Sequence, residues 1–169
     1  LDMSPSVDFG SEKVKKRAVS TEFVTVLARI LTRHGNRVGA LLYGADVDTV
    51  IAPRSGRRHV LQMLHRMIMR PELPAATATD LNVLLHAAHE TIRRRSLVFV
   101  VSDFISRPGW AETLANLSMR HEVIAVRLYD PLEMELPDLG LLVIQDSETC
   151  EQVFVDTHDR GFRKRFAEL

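Results

Sequence analysis

Asp2, Ser4 and Ser6 stand at alternate positions of the opening stretch LDMSPS. Farther along, Thr79 precedes a leucine-rich segment, and Asp103 follows the apolar run LVFVV. Carboxylates and hydroxyls, with no sulfur and no imidazole among them, form a set of hard oxygen donors. Such a set selects Mg²⁺, with Mn²⁺ or Ca²⁺ as alternatives, over zinc or copper. Mg²⁺ prefers near-octahedral coordination and commonly keeps an external ligand, so an open position at such a centre accepts a carboxylate from outside. Each residue also has an ordinary role. Thr79 is a suitable helix N-cap, and Asp103 is a suitable turn residue after a strand. An Asp-x-Ser-x-Ser spacing alone arises in about one chain of this length in twenty at average residue frequencies. The addition of Thr79 at a helix start and Asp103 at a strand end makes chance a poor explanation.

The elements that must bring these residues together are readable from hydrophobic periodicity. Residues 12–33 read as a helix with Val14, Ala18, Phe23, Val26, Leu27, Ile30 and Leu31 roughly on one face, stopped at His34-Gly35-Asn36. RVGALLYG (37–44) and VDTVIAP (47–53) read as a hairpin. Helices are expected from Gly56 to Met69, from Thr79 or Asp80 to Arg94, from Pro108 to Met119, and in the tail from Arg160 to Leu169. SLVFVVSDF (96–104) is the clearest buried strand, EVIAVRLYD (122–130) is another, and GLLVIQD with EQVFVD form a closing hairpin around residues 147–150. Strands separated by helices imply an α/β fold: a doubly wound, mostly parallel sheet with helices on both faces and one antiparallel strand from the 37–53 hairpin. Sites in such sheets lie beyond the carboxyl ends of the strands, where Asp2, Ser4, Ser6, Thr79 and Asp103 would meet. Leu1 is then the end of a first strand whose upstream part is expected to be missing.

Composition narrows the class. The 169 residues fit one domain, and Lys+Arg and Asp+Glu balance at 22 each, without the basic excess typical of nucleic-acid binding. No apolar run reaches the length of a membrane span, and a single cysteine, Cys150, suits a reducing compartment, so a cytoplasmic location is expected. HAAHE (86–90) has the wrong order for a zinc-protease helix and reads as an exposed face. RRR (93–95) and RSGRR (54–58) read as solvated surface. Ser102 lacks a nucleophile motif, and no G-x-x-x-x-G-K-[ST] or G-x-G-x-x-G is present. A phosphoacceptor domain is disfavoured because the lysines, at 13, 15, 16 and 164, are expected to lie away from any central strand end.

Asp2-x-Ser4-x-Ser6 with Thr79 and Asp103 resembles the metal-ion-dependent adhesion site of von Willebrand factor A domains. In that family both serines touch the metal, and the threonine and acids bind it directly or through water. More narrowly, SPSVDFGSEK, GNRVGALLYG, TDLNVLL, VVSDF, RHEVIAVRLYDPLEMELPDLG and QDSETCEQVFVDT resemble the bacterial family called domain of unknown function 58 over nearly the whole chain. The family usually has glycine before the site threonine. This chain has Ala78, with Thr77 as an alternative threonine. The resemblance implies a single von Willebrand factor A-like domain over 1–169. It implies a non-enzymatic, Mg²⁺-dependent protein-interaction module whose partner, a MoxR-type AAA+ ATPase, presents Asp or Glu to the metal. No contact with nucleic acid or membrane is expected. The alternatives are a Mg²⁺-dependent hydrolase using Asp2 and Asp103, and a structural domain with an inactive metal site. Loops 7–12, 44–46, 71–78 and 104–109 would surround the metal, with Phe9, Phe104 and Trp110 as apolar anchors for the partner. Asp2 and Asp103 should repel when no cation is present, so neutralising Asp103 is expected to leave the metal-free fold as stable or more so.

Overall fold

Alternation along one strand decides where the helices go. Leu42 and Tyr43 are neighbours in the strand β1 (Val38–Tyr43), so their side chains leave opposite faces. Leu42 packs in a cluster with Met3, Ala28, Val60, Met63 and Met67, whereas Tyr43 packs with Leu81, Leu84, Leu85, Val100 and Leu117. The first cluster belongs to the helices α1 (Lys16–Arg33) and α2 (Arg57–Ile68), the second to α3 (Leu81–Thr91) and α4 (Trp110–Arg120). The two helix pairs therefore flank β1 on opposite sides. These features come from a computed structural model, which describes residues 1–8, 10, 14–71, 79–145 and 152–167.

The remaining strands are β2 (Val47–Arg54), β3 (Leu97–Ser102), β4 (Glu122–Arg127), β5 (Leu141–Gln145) and β6 (Gln152–Asp156). They pair as three two-stranded sheets: β1–β2 antiparallel, β3–β4 parallel and β5–β6 antiparallel. The fold is mixed α/β, and both expected hairpins and the expected parallel pair are present. The described strands do not form the continuous doubly wound sheet that the sequence suggested. What joins the first two pairs is short. Asp2 makes a single parallel bridge with Tyr43. The Met3 N–H donates to the Tyr43 carbonyl at 2.8 Å and the Asp2 N–H to the Val101 carbonyl at 2.9 Å. Residues 1–3 thus run between β1 and β3.

Local chemistry sets several boundaries. Asp80 caps α3 by accepting from the Asn82 N–H at 3.0 Å. Gly35 takes φ of +80° just past α1 and stops it. A short helix, α5 (Pro131–Met134), falls within the segment after β4. Asp130-Pro131-Leu132-Glu133 forms a capping box there, with proline in the first turn. The strand expected over 122–130 therefore ends at Arg127. The chain closes with α6 (Arg160–Ala167).

The orientation of α1 corrects the sequence reading. The residues turned inward are Lys16, Ser20 and Ala28, at 4%, 0% and 1% exposure, with Val24 packed behind them. Of the apolar face read from periodicity, Phe23, Val26 and Ile30 are exposed. A helix normally buries its apolar stripe. Here the buried stripe carries a lysine whose ammonium meets two acids, and small residues that let the helix come close. The turn at 147–150 with Cys150, Phe9, Thr77, Ala78 and most of the loops 7–12 and 71–78 lie outside the described residues.

Leu81 is fully buried between α3 and β1, whereas Met119 on α4 is 87% exposed. Leu81→Ala should lower unfolding free energy by about 2–5 kcal/mol. Met119→Ala should stay within about 0.5 kcal/mol. Urea titration of the two variants checks this.

Candidate metal centre

The opening segment is built around its own carboxylate. Asp2 Oδ1 accepts from the Ser4 N–H at 2.9 Å, and the Ser4 and Ser6 hydroxyls lie 3.0 Å apart. Pro5 starts a single 3₁₀ turn over Pro5–Asp8, which suits its fixed φ and missing N–H. The turn brings Ser6 back toward Ser4. Across the bridge to β3, the Ser102 hydroxyl donates to Asp2 Oδ2 at 2.6 Å and accepts from the Phe104 N–H at 3.0 Å. Asp103 follows at the end of β3, where its Oδ1 accepts from the Ile105 N–H at 3.1 Å. The strand end is sharply turned, and Phe104 sits at φ of +62°. That backbone region is costly for a bulky side chain.

Thr79 comes from a third segment. Its carbonyl accepts from the Arg107 N–H at 3.0 Å and from the Ser106 hydroxyl at 3.2 Å, which ties it to the loop after Asp103. The cap of α3 is Asp80, so Thr79 is not used for capping. Tyr43 supports the same corner, its hydroxyl accepting from the Asp80 N–H at 2.9 Å. Asp2, Ser4, Ser6, Thr79 and Asp103 are all buried, with 4% exposure or less. Direct bonds join Asp2 to Ser4, Ser4 to Ser6 and Asp2 to Ser102. Asp103 and Thr79 are joined to that group through the backbone around them.

Burial pushes the Asp2 carboxyl above the usual carboxylate range. Hydrogen bonds from Ser102 and Ser4 oppose the shift, and the charge on Asp103 adds to it. The repulsion expected between the two acids is thus present, as a smaller cause than loss of water.

Sequence reasoning missed the strongest charge in the site. The Lys16 ammonium lies 3.0 Å from Asp103 Oδ2 and 2.5 Å from Glu133 Oε1. A lysine does stand at the end of a central strand, contrary to the expectation that all four lay elsewhere. Lysine at the first position of a helix is opposed by the helix dipole, and α1 has no acid in its first turn. Acids from distant segments, Asp103 and Glu133, help to justify its burial. The expectation for neutralised Asp103 did not include this ion pair. Removing that charge takes one acid away from a buried ammonium. Glu133 carried a readable signal, since Asp130-Pro131-x-Glu133 marks a helix start with glutamate at the third position. Lys16 had no such signal.

The remaining expectations divide. Phe104 and Trp110 stack at 5.2 Å between ring centroids and pack half-buried against the Leu81 cluster, so they serve the core before any partner. His86 and His89 are exposed on α3, as are the arginines at 93–95 and 54–58. Among the described residues no three of His, Cys, Asp and Glu gather as a metal cluster. The candidate centre consists of two acids with neutral hydroxyls, and that donor chemistry fits a hard cation and no soft one.

A model of the family described as protein of unknown function DUF58 matches residues 1–169. The chain belongs to that family. Uncharacterised proteins of Mycobacterium bovis and Mycobacterium tuberculosis are 36% identical over 149 residues, which is 88% of this chain and 47% of theirs. The chain thus spans about half the length of these DUF58 relatives. A crystal structure of an aerotolerance-related membrane protein from Bacteroides fragilis matches with a TM-score of 0.68 at 13% identity, covering 99% of this chain and 83% of that one. At that identity the likeness concerns the fold alone. Among the described residues no helix is long and apolar enough to cross a membrane.

Two outcomes follow for the metal-free protein. Asp2 binds its proton more tightly folded than unfolded, so its contribution is full below the unfolded pKa near 3.8 and is lost as pH rises through the higher folded value. Stability measured by denaturant titration in EDTA should therefore fall over that window, and Asp2→Asn should flatten the slope. Asp103→Asn should destabilise the metal-free fold, by less than the about 3–5 kcal/mol typical of a broken buried pair, because Glu133 still faces Lys16.

Proposed function

We propose that this chain is a von Willebrand factor A-like protein-interaction module without catalytic activity, working through a divalent-metal centre at one end of β3. The observation that supports this reading is the meeting of Asp2, Ser4 and Ser6 with the Ser102-Asp103 corner in one buried group of carboxylates and hydroxyls, with Thr79 tied to the loop beside it. Asp2, Ser4, Ser6, Thr79 and Asp103 would hold Mg²⁺, or Mn²⁺ or Ca²⁺ in its place. The ion would supply a Lewis-acidic position for an external carboxylate. The protein's own contribution is to fix the hydroxyls by the 3₁₀ turn, keep bulk water off the carboxylates, and surround the centre with loops that add contact area. The arrangement of residues 1–3 between β1 and β3, with helix pairs on both sides of β1, suits the doubly wound fold of that domain class. By family resemblance the partner is a MoxR-type AAA+ ATPase presenting Asp or Glu, met in the cytoplasm.

Metal binding to the native state alone should add about 2.7 kcal/mol of stability at a hundredfold excess over the dissociation constant. A melting temperature that rises with millimolar Mg²⁺ and returns with EDTA is the expected result. Ser4→Ala combined with Ser6→Ala should abolish the rise while the fold survives. Binding of the purified ATPase should be lost both in this variant and in EDTA. A complex that persists under both treatments would place the interaction elsewhere. Metal-dependent turnover of a phosphoester, removed by Asp103→Asn, would instead mark the centre as hydrolytic.

A further inference from the structure

We propose that Lys16 is a tethered cation that occupies the Asp103 carboxylate in the metal-free protein and leaves it for Glu133 when a divalent ion binds. The inference rests on the metal-centre reading above. Its basis is the geometry of one ammonium between two acids. Lys16 Nζ is 3.0 Å from Asp103 Oδ2 and 2.5 Å from Glu133 Oε1, and the lysine side chain is 4% exposed. The two acids differ in surroundings. The Asp103 side chain is 1% exposed, next to the Asp2–Ser102 bond, whereas that of Glu133 is 24% exposed.

Glu133 is a fixed acceptor. Its other oxygen, Oε2, accepts from the Asp130 N–H at 3.0 Å within the capping box of α5, and Asp130 closes the box on the Leu132 N–H at 2.9 Å. The carboxylate is therefore oriented whether or not Asp103 takes part. A lysine stem is long and flexible, so its ammonium can give up one acid and keep the other without moving α1. Charges then balance in two separate groups. Lys16 keeps Glu133 as a counter-charge, and Asp2 with Asp103 offers two negative charges to a divalent ion. An ammonium held on Asp103 occupies an oxygen that the ion needs and repels it at short range. Metal affinity is thus set by competition with an intramolecular cation whose effective concentration is fixed by the fold. The device makes the centre respond to metal level, since binding must displace a resident charge before the loops around Asp103 present a divalent ion.

The test uses Mn²⁺ and Mg²⁺ on the 169-residue chain. Calorimetric titration with Mn²⁺ should show at least tenfold tighter binding in Lys16→Met than in wild type. In wild type, the side-chain ammonium NMR signal of Lys16 should shift on Mg²⁺ saturation while those of Lys13, Lys15 and Lys164 stay in place. The chain has only these four lysines, which makes the assignment direct. Equal or weaker Mn²⁺ binding by Lys16→Met, with wild type still binding, overturns the competition and leaves the metal centre standing. No Mn²⁺ binding by either protein overturns both. If Lys16→Met does not fold, the wild-type spectrum decides. A Lys16 signal unmoved at Mg²⁺ levels that raise the melting temperature overturns the proposal.

Discussion

Two backbone hydrogen bonds hold the molecule's centre: Asp2 N–H to the Val101 carbonyl and Met3 N–H to the Tyr43 carbonyl. They seat residues 1–3 between β1 and β3, and much else depends on that placement. Met3 is carried into the cluster under α1 and α2, while Asp2 is carried out of water at the strand end. The Leu1 carbonyl also accepts from the Tyr43 N–H at 3.1 Å, and the Leu1 amine donates to the Leu41 carbonyl at 2.8 Å. Burying a carboxylate is costly unless it is hydrogen-bonded. The Ser102 hydroxyl and the Ser4 N–H meet that cost in part, and burial still holds the Asp2 carboxyl above the usual carboxylate range.

Electrostatics then connects elements that are distant in sequence. Asp2 and Asp103 share one end of the sheet, and Lys16 reaches that end from the first residue of α1. Glu133 reaches it from the one-turn helix after β4. This four-residue arrangement rotates α1 so that its lysine, serine and alanine stripe faces inward, and part of its apolar stripe remains exposed. The position of Lys16 is unfavourable by helix rules and favourable only through tertiary partners. Local rules broken in this way are where function or strain is expected. Phe104, held at positive φ directly after Asp103, is a second such place.

The hydroxyls give the centre its chemical character. Ser4 and Ser6 are brought together by a turn that proline starts, and Thr79 is left out of helix capping because Asp80 takes that role. Serine and threonine contribute oxygen without charge, so the candidate centre is lightly charged, with Lys16 as its resident cation. A carboxylate-rich cage would hold a divalent ion closed on all sides.

The sequence by itself determined most of the elements and which oxygen-bearing side chains stand near the end of β3. Apolar runs such as LVFVV and VGALLY read as strands because they are short and bounded by turn residues, and LVFVV is also rich in β-branched residues. The alternate spacing of Asp2, Ser4 and Ser6 fixed which side chains one short loop offers. Asp130-Pro131-x-Glu133 already contained the capping box, a local pattern with a local cause. Tertiary structure alone decided how α1 is rotated and what Lys16 does. Periodicity ranks faces by hydrophobicity and carries no information about an ion pair spanning 87 or 117 residues. It also decided that residues 1–3 lie between the β1–β2 and β3–β4 pairs, because pairing depends on which backbone groups meet in space, and every strand presents the same groups in sequence.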